Sequence, residues 1–290
     1  PLSNMQIYHL FEWPSNNPPM NVRNESILSK SKGAHPPFVL TLSGSDSSGC
    51  AGMQADNRAI HAAGGFPLNV LTAITVQTPK GVEKVSIQSG EFVGEQISHL
   101  LESYPITAIK SGMLGNEDIA TSVLRSLKKF PEIPYVLDPV MVSTSGTRLL
   151  EEGALEVFRN GLFHRATLIT PNLDELRLLS GDRLIDPTDA ARELAETTNS
   201  SVLLKGGHID GTDCIDWLFT ADREPRLYRS SRIQSDNLRG TGCALSSAIA
   251  AYLGQGDIVP DAVHKGKELL SDRIRQGVSV HWVGDGPAFG

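Results

Sequence analysis

The 290-residue chain has few cysteines, no positive charge excess and no long hydrophobic run. Its three cysteines, Cys50, Cys214 and Cys243, form no C-x-x-C pair, which excludes a disulfide framework and indicates a reducing compartment. A net charge of -7 gives no basic excess to neutralise nucleic-acid phosphates. No apolar run approaches the roughly 20 residues that cross a bilayer, and the N-terminus lacks a secretory layout. We therefore predict a cytoplasmic protein that binds neither nucleic acid nor membrane.

The first 37 residues differ in pattern from the rest of the chain. Prolines in WPSNNPPM and HPP interrupt this stretch, which shows no sustained period. We therefore predict a flexible N-terminal extension over residues 1–37. From Phe38 short apolar runs alternate with helical patterns without a break in composition. This alternation predicts one α/β domain over residues 38–290, with a mostly parallel sheet covered by helices on both faces.

The predicted strands end in polar residues and glycines. Apolar runs predict strands at 38–44, 68–77, 106–112, 134–140, 166–172 and 201–207, and an antiparallel pair at 213–220 and 225–231. Helical patterns cover 53–63, 94–103, 117–129, 151–163, 173–179, 189–197, 241–253 and 261–276. The strand ends read Gly44-Ser45-Asp46, Gln77, Lys110-Ser111-Gly112-Met113, Asp138-Pro139, Thr170-Pro171-Asn172 and Lys205-Gly206-Gly207. Because ligands bind beyond the carboxyl ends of such strands, this rim is the predicted site.

The loop LSGSDSSGCAGMQAD follows the first predicted strand. Gly44 and Gly49 have the spacing of a P-loop, but Cys50-Ala51 stand where Lys-Ser/Thr is required, which excludes a Walker A motif. The glycines do not form G-x-G-x-x-G either. Two interpretations stay open: a tight strand-to-helix turn, or a loop that closes over a small ligand while Asp56 accepts a hydrogen bond from it.

A second glycine turn, Gly240-Thr241-Gly242-Cys243, begins a predicted helix. Free N–H groups and the helix dipole make such a turn a cradle for phosphate. We expect the pKa of a thiol there to fall from about 8.5 into the range of roughly 3.5–7.5, so that Cys243 could take a proton from a substrate hydroxyl. The alternative is that Cys243 is a small buried apolar residue.

Carboxylates and a lysine complete the predicted rim. Asp138 and Glu175 at neighbouring strand ends fit Mg²⁺, which one or two carboxylates usually hold together with substrate phosphates and water. Alternatively, Glu175 is a favourable charge in the first turn of a helix. Lys205 is a candidate phosphate contact or a solvated strand-end lysine.

The motifs TLSGSDSSGCAGMQAD, VLDPVMVSTSG, LITPNLDE, LLKGGH and GTGCALSSAIAA occur in an order that resembles the hydroxymethylpyrimidine/phosphomethylpyrimidine kinases of thiamine biosynthesis. These belong to the ribokinase-like superfamily, and the resemblance covers about residues 38–287. It implies a three-layer α/β/α sandwich, the cofactors ATP and Mg²⁺, and two phosphorylations. The first converts 4-amino-5-hydroxymethyl-2-methylpyrimidine to its monophosphate, and the second yields the diphosphate.

The resemblance also implies roles for residues on the rim. The implied pyrimidine contacts are Gly44, Asp56, Gln77 and Met113. The implied anion hole and proton acceptor are Gly240, Thr241, Gly242 and Cys243. The implied nucleotide contacts are Lys205, Gly206, Gly207 and Asn172. The implied metal-linked acids are Asp138 and Glu175.

Three positions depart from the family pattern, since relatives usually have Pro at Ser47, Gly at Cys50 and His at Arg239. These departures bear on substrate choice and rate more than on reaction class. Pyridoxal kinase is an alternative, because pyridoxine also offers a hydroxymethyl group on a flat nitrogen ring, although Gln77 and Met113 favour the pyrimidine. A catalytically silent pyrimidine-binding relative is a further alternative. The resemblance also implies a homodimer.

Overall fold

The computed structural model describes residues 35–78, 80–143, 146–181, 186–206, 212–221, 223–235 and 238–276. The predicted extension over residues 1–37 lies outside the described residues up to residue 34. Pro37 is buried, and its carbonyl oxygen accepts a hydrogen bond of 2.8 Å from the Phe66 amide. Pro37 therefore packs against the domain that follows it.

Within the described residues, nine strands form one sheet in the order β3-β2-β1-β4-β5-β6-β7-β8-β9. The strands are β1 (Phe38–Asp46), β2 (Phe66–Thr78), β3 (Gly81–Ile87), β4 (Ile106–Ser111), β5 (Tyr135–Leu137), β6 (Leu168–Ile169), β7 (Ser201–Leu204), β8 (Asp213–Thr220) and β9 (Arg223–Ser231). The six strands from β2 to β7 along this order are parallel, and β3, β8 and β9 add antiparallel pairs at the edges. The predicted mostly parallel sheet is confirmed.

Helices cover both faces of the sheet. The helices are α1 (Gly52–Ala62), α2 (Gly90–Ser103), α3 (Glu117–Leu127), α4 (Glu152–Val157), α5 (Phe163–Arg165), α6 (Leu173–Leu179), α7 (Pro187–Thr198), α8 (Thr241–Gly254) and α9 (Val259–Gln276), with a π-helical turn at Phe158–Leu162. Side chains of α2 to α7 share one hydrophobic core with the sheet. Those of α1, α8 and α9 pack in separate clusters. No helix among the described residues has the length and apolar character needed to cross a membrane.

The predicted elements differ from the structure mainly at strand ends. Tyr135–Leu137 and Leu168–Ile169 are shorter than the predicted strands, because Asp138 and Thr170 already lie in the loops that form the rim. The strand Gly81–Ile87 was not predicted; it pairs antiparallel with β2 at the edge of the sheet. Its short polar and apolar sequence gives only a weak alternating pattern.

Candidate active site

The two glycine turns pack against each other at the rim. Gly240 precedes α8 with φ 75°, a conformation that glycine accepts without strain. A Cβ atom at Gly240 would lie 2.1 Å from the carbonyl oxygen of Cys50. Only a glycine therefore allows the start of α8 to touch the loop that follows β1.

Gly52 brings the same loop back to the end of β1. Its φ is 56°, and a Cβ atom there would lie 2.3 Å from the Gly44 carbonyl oxygen. A Cβ atom on Gly44 would in turn lie 3.4 Å from the sulfur of Met113. Two of the predicted pyrimidine contacts, Gly44 and Met113, are thus neighbours.

Asp46, one of the polar residues at the strand ends, gives this loop its shape. Its Oδ1 accepts hydrogen bonds from the amide and hydroxyl of Ser48 at 2.8 and 2.7 Å. Its Oδ2 accepts a hydrogen bond from the Ala51 amide at 2.8 Å. Arg58 donates to the Gly49 carbonyl oxygen at 2.6 Å. The loop is therefore held by side chains of its own flanking elements.

Gln77 lies at the end of β2, beside the outer part of this loop. The Ser47 hydroxyl donates to the Gln77 carbonyl oxygen at 2.9 Å and accepts from the Gln77 amide at 2.8 Å. The Gln77 side-chain oxygen accepts a hydrogen bond from the Thr75 hydroxyl at 3.3 Å. Ser47, one of the departures from the family pattern, thus fixes the backbone of a predicted substrate contact.

Cys243 lies in the first turn of α8 and is partly exposed. Burial raises the pKa of its thiol to about 11; Asp56 and Asp138 add to this, while Lys110 and the Gly52 amide act in the opposite direction. The expectation of a lowered pKa is therefore wrong. The loss of hydration outweighs the favourable position at a helix N-terminus.

Three residues form what we call the outer unit: Ser246 on α8, Asp138 just after β5 and Lys205 just after β7. The Lys205 ammonium lies 2.8 Å from Asp138 Oδ1, and the Ser246 hydroxyl lies 3.2 Å from Asp138 Oδ2. A Cβ atom at Gly242 would lie 3.4 Å from the same ammonium. The structure therefore brings the predicted Asp138 and Lys205 together beside the predicted anion hole. Although burial opposes ionisation, Lys205 and Lys110 hold the pKa of Asp138 below its usual value.

Asn172 and Glu175 border the outer unit and form a capping box at the start of α6. The Asn172 side-chain oxygen accepts from the Glu175 amide, and Glu175 Oε2 accepts from the Asn172 amide, both at 2.8 Å. The Asn172 oxygen therefore caps α6, and the contact of Asn172 with a nucleotide stays a prediction. Glu175 Oε2 also lies 3.8 Å from the Lys205 ammonium. Burial raises the pKa of Glu175 to about 7, while Lys205 lowers it and Asp138 raises it.

The outer unit and the neighbouring Glu175 together offer donors that fit a cation that keeps part of its water shell. Two carboxylates, Asp138 and Glu175, converge on one ammonium, so the group has a net negative charge when both are ionised. Within the described residues no group of three or more His, Cys, Asp or Glu side chains could enclose a metal ion. Mg²⁺ matches such a sparse set because it retains waters and binds phosphates.

A second group of the same composition, which we call the inner unit, lies deeper: Ser247, Asp56 and Lys110. Asp56 Oδ1 lies 2.7 Å from the Lys110 ammonium and accepts from the Ser247 hydroxyl at 2.8 Å. Its Oδ2 accepts from the Ser43 hydroxyl at 2.8 Å. Asp56 is fully buried and both its oxygens have protein partners. We therefore correct the expectation that Asp56 contacts a ligand ring directly.

The side of the rim with the predicted nucleotide contacts is linked to α9. The Gly206 amide donates to Asp216 Oδ1 at 2.8 Å, and Asp216 Oδ2 lies 2.5 Å from the Lys267 ammonium. The predicted contact Gly207 lies outside the described residues. The sequence patterns did not predict a role for Asp216 or Lys267. Asp216 interrupts the apolar run of β8, which is the signal that could have found it.

Lys110 was placed on the predicted rim without a role, and the serines of α8 were missed. Lys110 stands in the otherwise apolar strand ITAIKS, and Ser246-Ser247 stand in the apolar helix ALSSAIAA. Buried polar groups need partners, so polar residues inside apolar elements are the signal for internal networks. The partners themselves are distant in sequence and could not be deduced.

A cavity of about 320 Å³ opens next to Met113. It is lined by Val85, Ile87, Met113, Gly115, Arg148, Leu149, Leu150, Glu151 and Glu152. Its walls come from β3 and from the segment that leads into α4, and they are largely apolar, with Arg148, Glu151 and Glu152 as the charged lining residues. The cavity therefore offers space for a flat apolar group on the Met113 side of the rim.

A family model described as phosphomethylpyrimidine kinase matches residues 46–288. The chain belongs to this family. The hydroxymethylpyrimidine/phosphomethylpyrimidine kinase of Streptomyces coelicolor is 40% identical over 245 residues, which are 83% of this chain and 90% of that protein. The thiamine biosynthesis bifunctional protein of Geobacter sulfurreducens is 38% identical, and the match covers 82% of this chain. This family member spans only 49% of that bifunctional protein.

Solved structures agree with this membership of the phosphomethylpyrimidine kinase family. The phosphomethylpyrimidine kinase of Clostridium difficile is 35% identical with a TM-score of 0.70, over 82% of this chain and 99% of that chain. Pyridoxal kinase of Bacillus subtilis in an ADP complex is 27% identical with a TM-score of 0.77, over 87% and 97% of the two chains. The predicted ribokinase-like α/β/α fold is confirmed.

Proposed function

We propose that the chain phosphorylates 4-amino-5-hydroxymethyl-2-methylpyrimidine with ATP and then converts the monophosphate to the diphosphate. The observation that supports this most is the outer unit beside the first turn of α8. Backbone amides from Gly240 to Cys243, the Lys205 ammonium and two carboxylates meet within one rim. Such an array can stabilise the charge of a transferring phosphoryl group.

In the proposed first reaction, the hydroxymethyl oxygen attacks the γ-phosphorus of ATP. The new P–O bond forms as the bond from the γ-phosphorus to the bridging oxygen breaks, and ADP leaves with that electron pair. The proton of the hydroxyl passes to the thiolate of Cys243. The backbone amides of Gly242 and Cys243 donate hydrogen bonds to the phosphoryl oxygens and so stabilise their negative charge.

The raised pKa of Cys243 limits this proton transfer. A thiol with a pKa of about 11 is almost wholly protonated near neutral pH, so the active thiolate is a small fraction. A phosphoryl transfer has a loose transition state and depends mostly on positioning and charge neutralisation. Strong base catalysis is therefore not required for the anion hole to be effective.

The proposed Mg²⁺ would lie near Glu175 and Asp138, which would hold it in part through water. When bound, the ion would neutralise phosphate charge. Lys205 compensates one carboxylate at 2.8 Å and stays protonated, since Asp138 and Glu175 raise its pKa despite its burial. Its ammonium can therefore contact phosphate oxygens as a point charge.

For the pyrimidine we propose a pocket between Gly44, Met113 and Gln77. Gly44 and Met113 are adjacent, and the largely apolar cavity beside Met113 extends the same surface. Gln77 supplies an amide that can pair with ring nitrogens and an amino group. Asp56 does not contact the pyrimidine directly; as part of the inner unit it supports the pocket from below.

Pyridoxal or pyridoxine phosphorylation is the second candidate. It is favoured by the TM-score of 0.77 to Bacillus subtilis pyridoxal kinase, against 0.70 to the Clostridium difficile phosphomethylpyrimidine kinase. Sequence identity points the other way, 27% against 35%. Because the pocket decides substrate choice, kcat/KM for the two alcohols measured side by side separates the candidates.

The direct test is to incubate the chain with Mg-ATP and the pyrimidine alcohol and to identify products by mass. We expect a monophosphate followed by a diphosphate. Tight binding of the pyrimidine without any phosphorylated product would instead support the silent relative. Product formation from pyridoxine alone would support the second candidate.

Two further predictions stay proposals. A homodimer is supported by the apolar side chains of Ile74, Val76 and Ile87, which are 51%, 51% and 36% exposed near the β3 edge. A monomer mass in light scattering at assay concentration would contradict it. The cytoplasmic location rests on the sparse, unpaired cysteines.

A further inference from the structure

Lys110 is a buried charge that the proposed reaction does not use. Its side chain is 0% exposed, as is that of its partner Asp56. An ion pair removed from water is often no more stable than apolar residues of the same volume. Its presence under the rim therefore calls for a role other than stability.

The surroundings of Lys110 connect it to the start of α8. Ser247, one turn after Cys243, donates to the Asp56 oxygen that also meets the Lys110 ammonium. A Cβ atom at Gly112, just after β4, would lie 3.0 Å from the Lys110 ammonium, so this ammonium lies next to the backbone at the end of β4. Strand β4, helix α1 and helix α8 thus meet at one ion pair.

We propose that Lys110 is a positioning residue for Cys243. Held by Asp56 and tied to α8 through Ser247, its ammonium is a fixed positive charge beneath the anion hole that favours negative charge on the sulfur. This inference rests on the proposed function only for its catalytic meaning, since the effect on the thiol requires no substrate.

The charges that face Cys243 come from four elements. Lys110 from β4 and Lys205 after β7 favour the thiolate, while Asp56 from α1 and Asp138 after β5 disfavour it. Among these the Lys110 contribution is the largest, and it exceeds that of its own partner Asp56. Cys243 and Ser247, four residues apart, lie on the same side of α8, and Ser247 donates to Asp56, so the thiol faces the side of the helix on which Asp56 and Lys110 pair.

The test is the rate at which iodoacetamide alkylates Cys243 between pH 8 and 10, followed by peptide mass in the absence of nucleotide. The variant is Lys110→Met with Asp56→Asn, which removes both charges but keeps a partner for Ser43 and Ser247. We expect alkylation of Cys243 at pH 9 to fall at least about tenfold, which corresponds to one pKa unit. Cys214, on β8, is partly exposed and serves as the internal reference.

Lys265→Met is the matched control, because Lys265 also pairs with an aspartate, Asp257, at 2.7 Å, but its side chain is 46% exposed. We expect this variant to alkylate like the wild type. An unchanged or faster reaction of Cys243 in the folded double variant would overturn the proposal.

If the double variant does not unfold cooperatively, Ser247→Ala decides instead. It keeps both charges but frees Asp56 from one donor, so alkylation should slow about two- to tenfold, and an unchanged rate would overturn the proposal.

The kinase assay separates this inference from the proposed function. In the same double variant we expect kcat for the pyrimidine alcohol to fall about tenfold or more while KM changes little, because Lys110 does not touch the substrate. A chain that phosphorylates neither alcohol would refute the proposed function. The alkylation result would then still decide the link between Lys110 and Cys243.

Discussion

The outer and inner units have the same composition but differ in access. Each joins a serine of α8 to an aspartate and a lysine, and the serines are consecutive, Ser246 and Ser247. The Lys205 side chain is 13% exposed, whereas that of Lys110 is 0% exposed. The outer unit also has a second carboxylate nearby. The difference indicates that one unit can bind a ligand, while the other can only position what surrounds it.

The largest effect on stability is expected in the inner unit. Lys110→Met leaves the Asp56 carboxylate buried without its counter-charge, which should reduce the free energy of unfolding by about 3–5 kcal/mol. Lys205→Met should reduce it by less than half as much, because water can reach the outer unit. Urea unfolding of both variants measures the difference. Equal losses in the free energy of unfolding would show that the two units do not differ in their exposure to water.

The outer unit should dominate catalysis through its neighbour Cys243. Cys243→Ala removes the proposed proton acceptor but leaves the backbone amides, so kcat should fall roughly 100–1000-fold. The free energy of unfolding should change by no more than about 1 kcal/mol, because a small side chain is truncated at a partly exposed position. Steady-state kinetics with the pyrimidine alcohol tests this, and a wild-type kcat would exclude the catalytic thiol.

The pH dependence of kcat should report the same thiol. Because burial raises the pKa of Cys243 to about 11, the thiolate fraction rises about tenfold per pH unit below that value. From pH 8 to 10 Glu175, with a pKa of about 7, is already ionised and does not confuse the slope. We expect kcat to increase over this range in the wild type while chemistry limits turnover, and Cys243→Ala to show a flat profile. A flat wild-type profile would contradict a thiolate base.

The contrast between the units marks what the sequence could predict. The fold, the rim and the proximity of Asp138 to Lys205 follow from alternating elements, since strand ends of a parallel sheet share one edge. The capping box of Asn172 and Glu175 was also readable, because Asn followed three residues later by Glu is its signature. The resemblance drew attention to a ligand role for Asn172 instead.

The inner unit could not be predicted in this way. Lys110 and Asp56 are 54 positions apart, and Ser247 is 191 positions from Asp56, so their meeting depends on how three elements pack. The predicted pKa of Cys243 was wrong for the same reason. A helix N-terminus is a local feature that the sequence shows, but the degree of burial is set by the loop that covers it.

The smallest expected effects distinguish the two serines. Ser247 donates to a carboxylate that is fully buried, so Ser247→Ala should reduce the free energy of unfolding by about 1.5–3 kcal/mol. The Ser246 hydroxyl lies 3.2 Å from Asp138 and 3.0 Å from the carbonyl oxygens of Gly242 and Cys243, and its loss leaves Asp138 with Lys205 and Thr170. Ser246→Ala should therefore cost about 1 kcal/mol or less. Urea midpoints measured in parallel test the order. If Ser246→Ala were the more damaging change, the inner unit would not be the one that holds α8 in place.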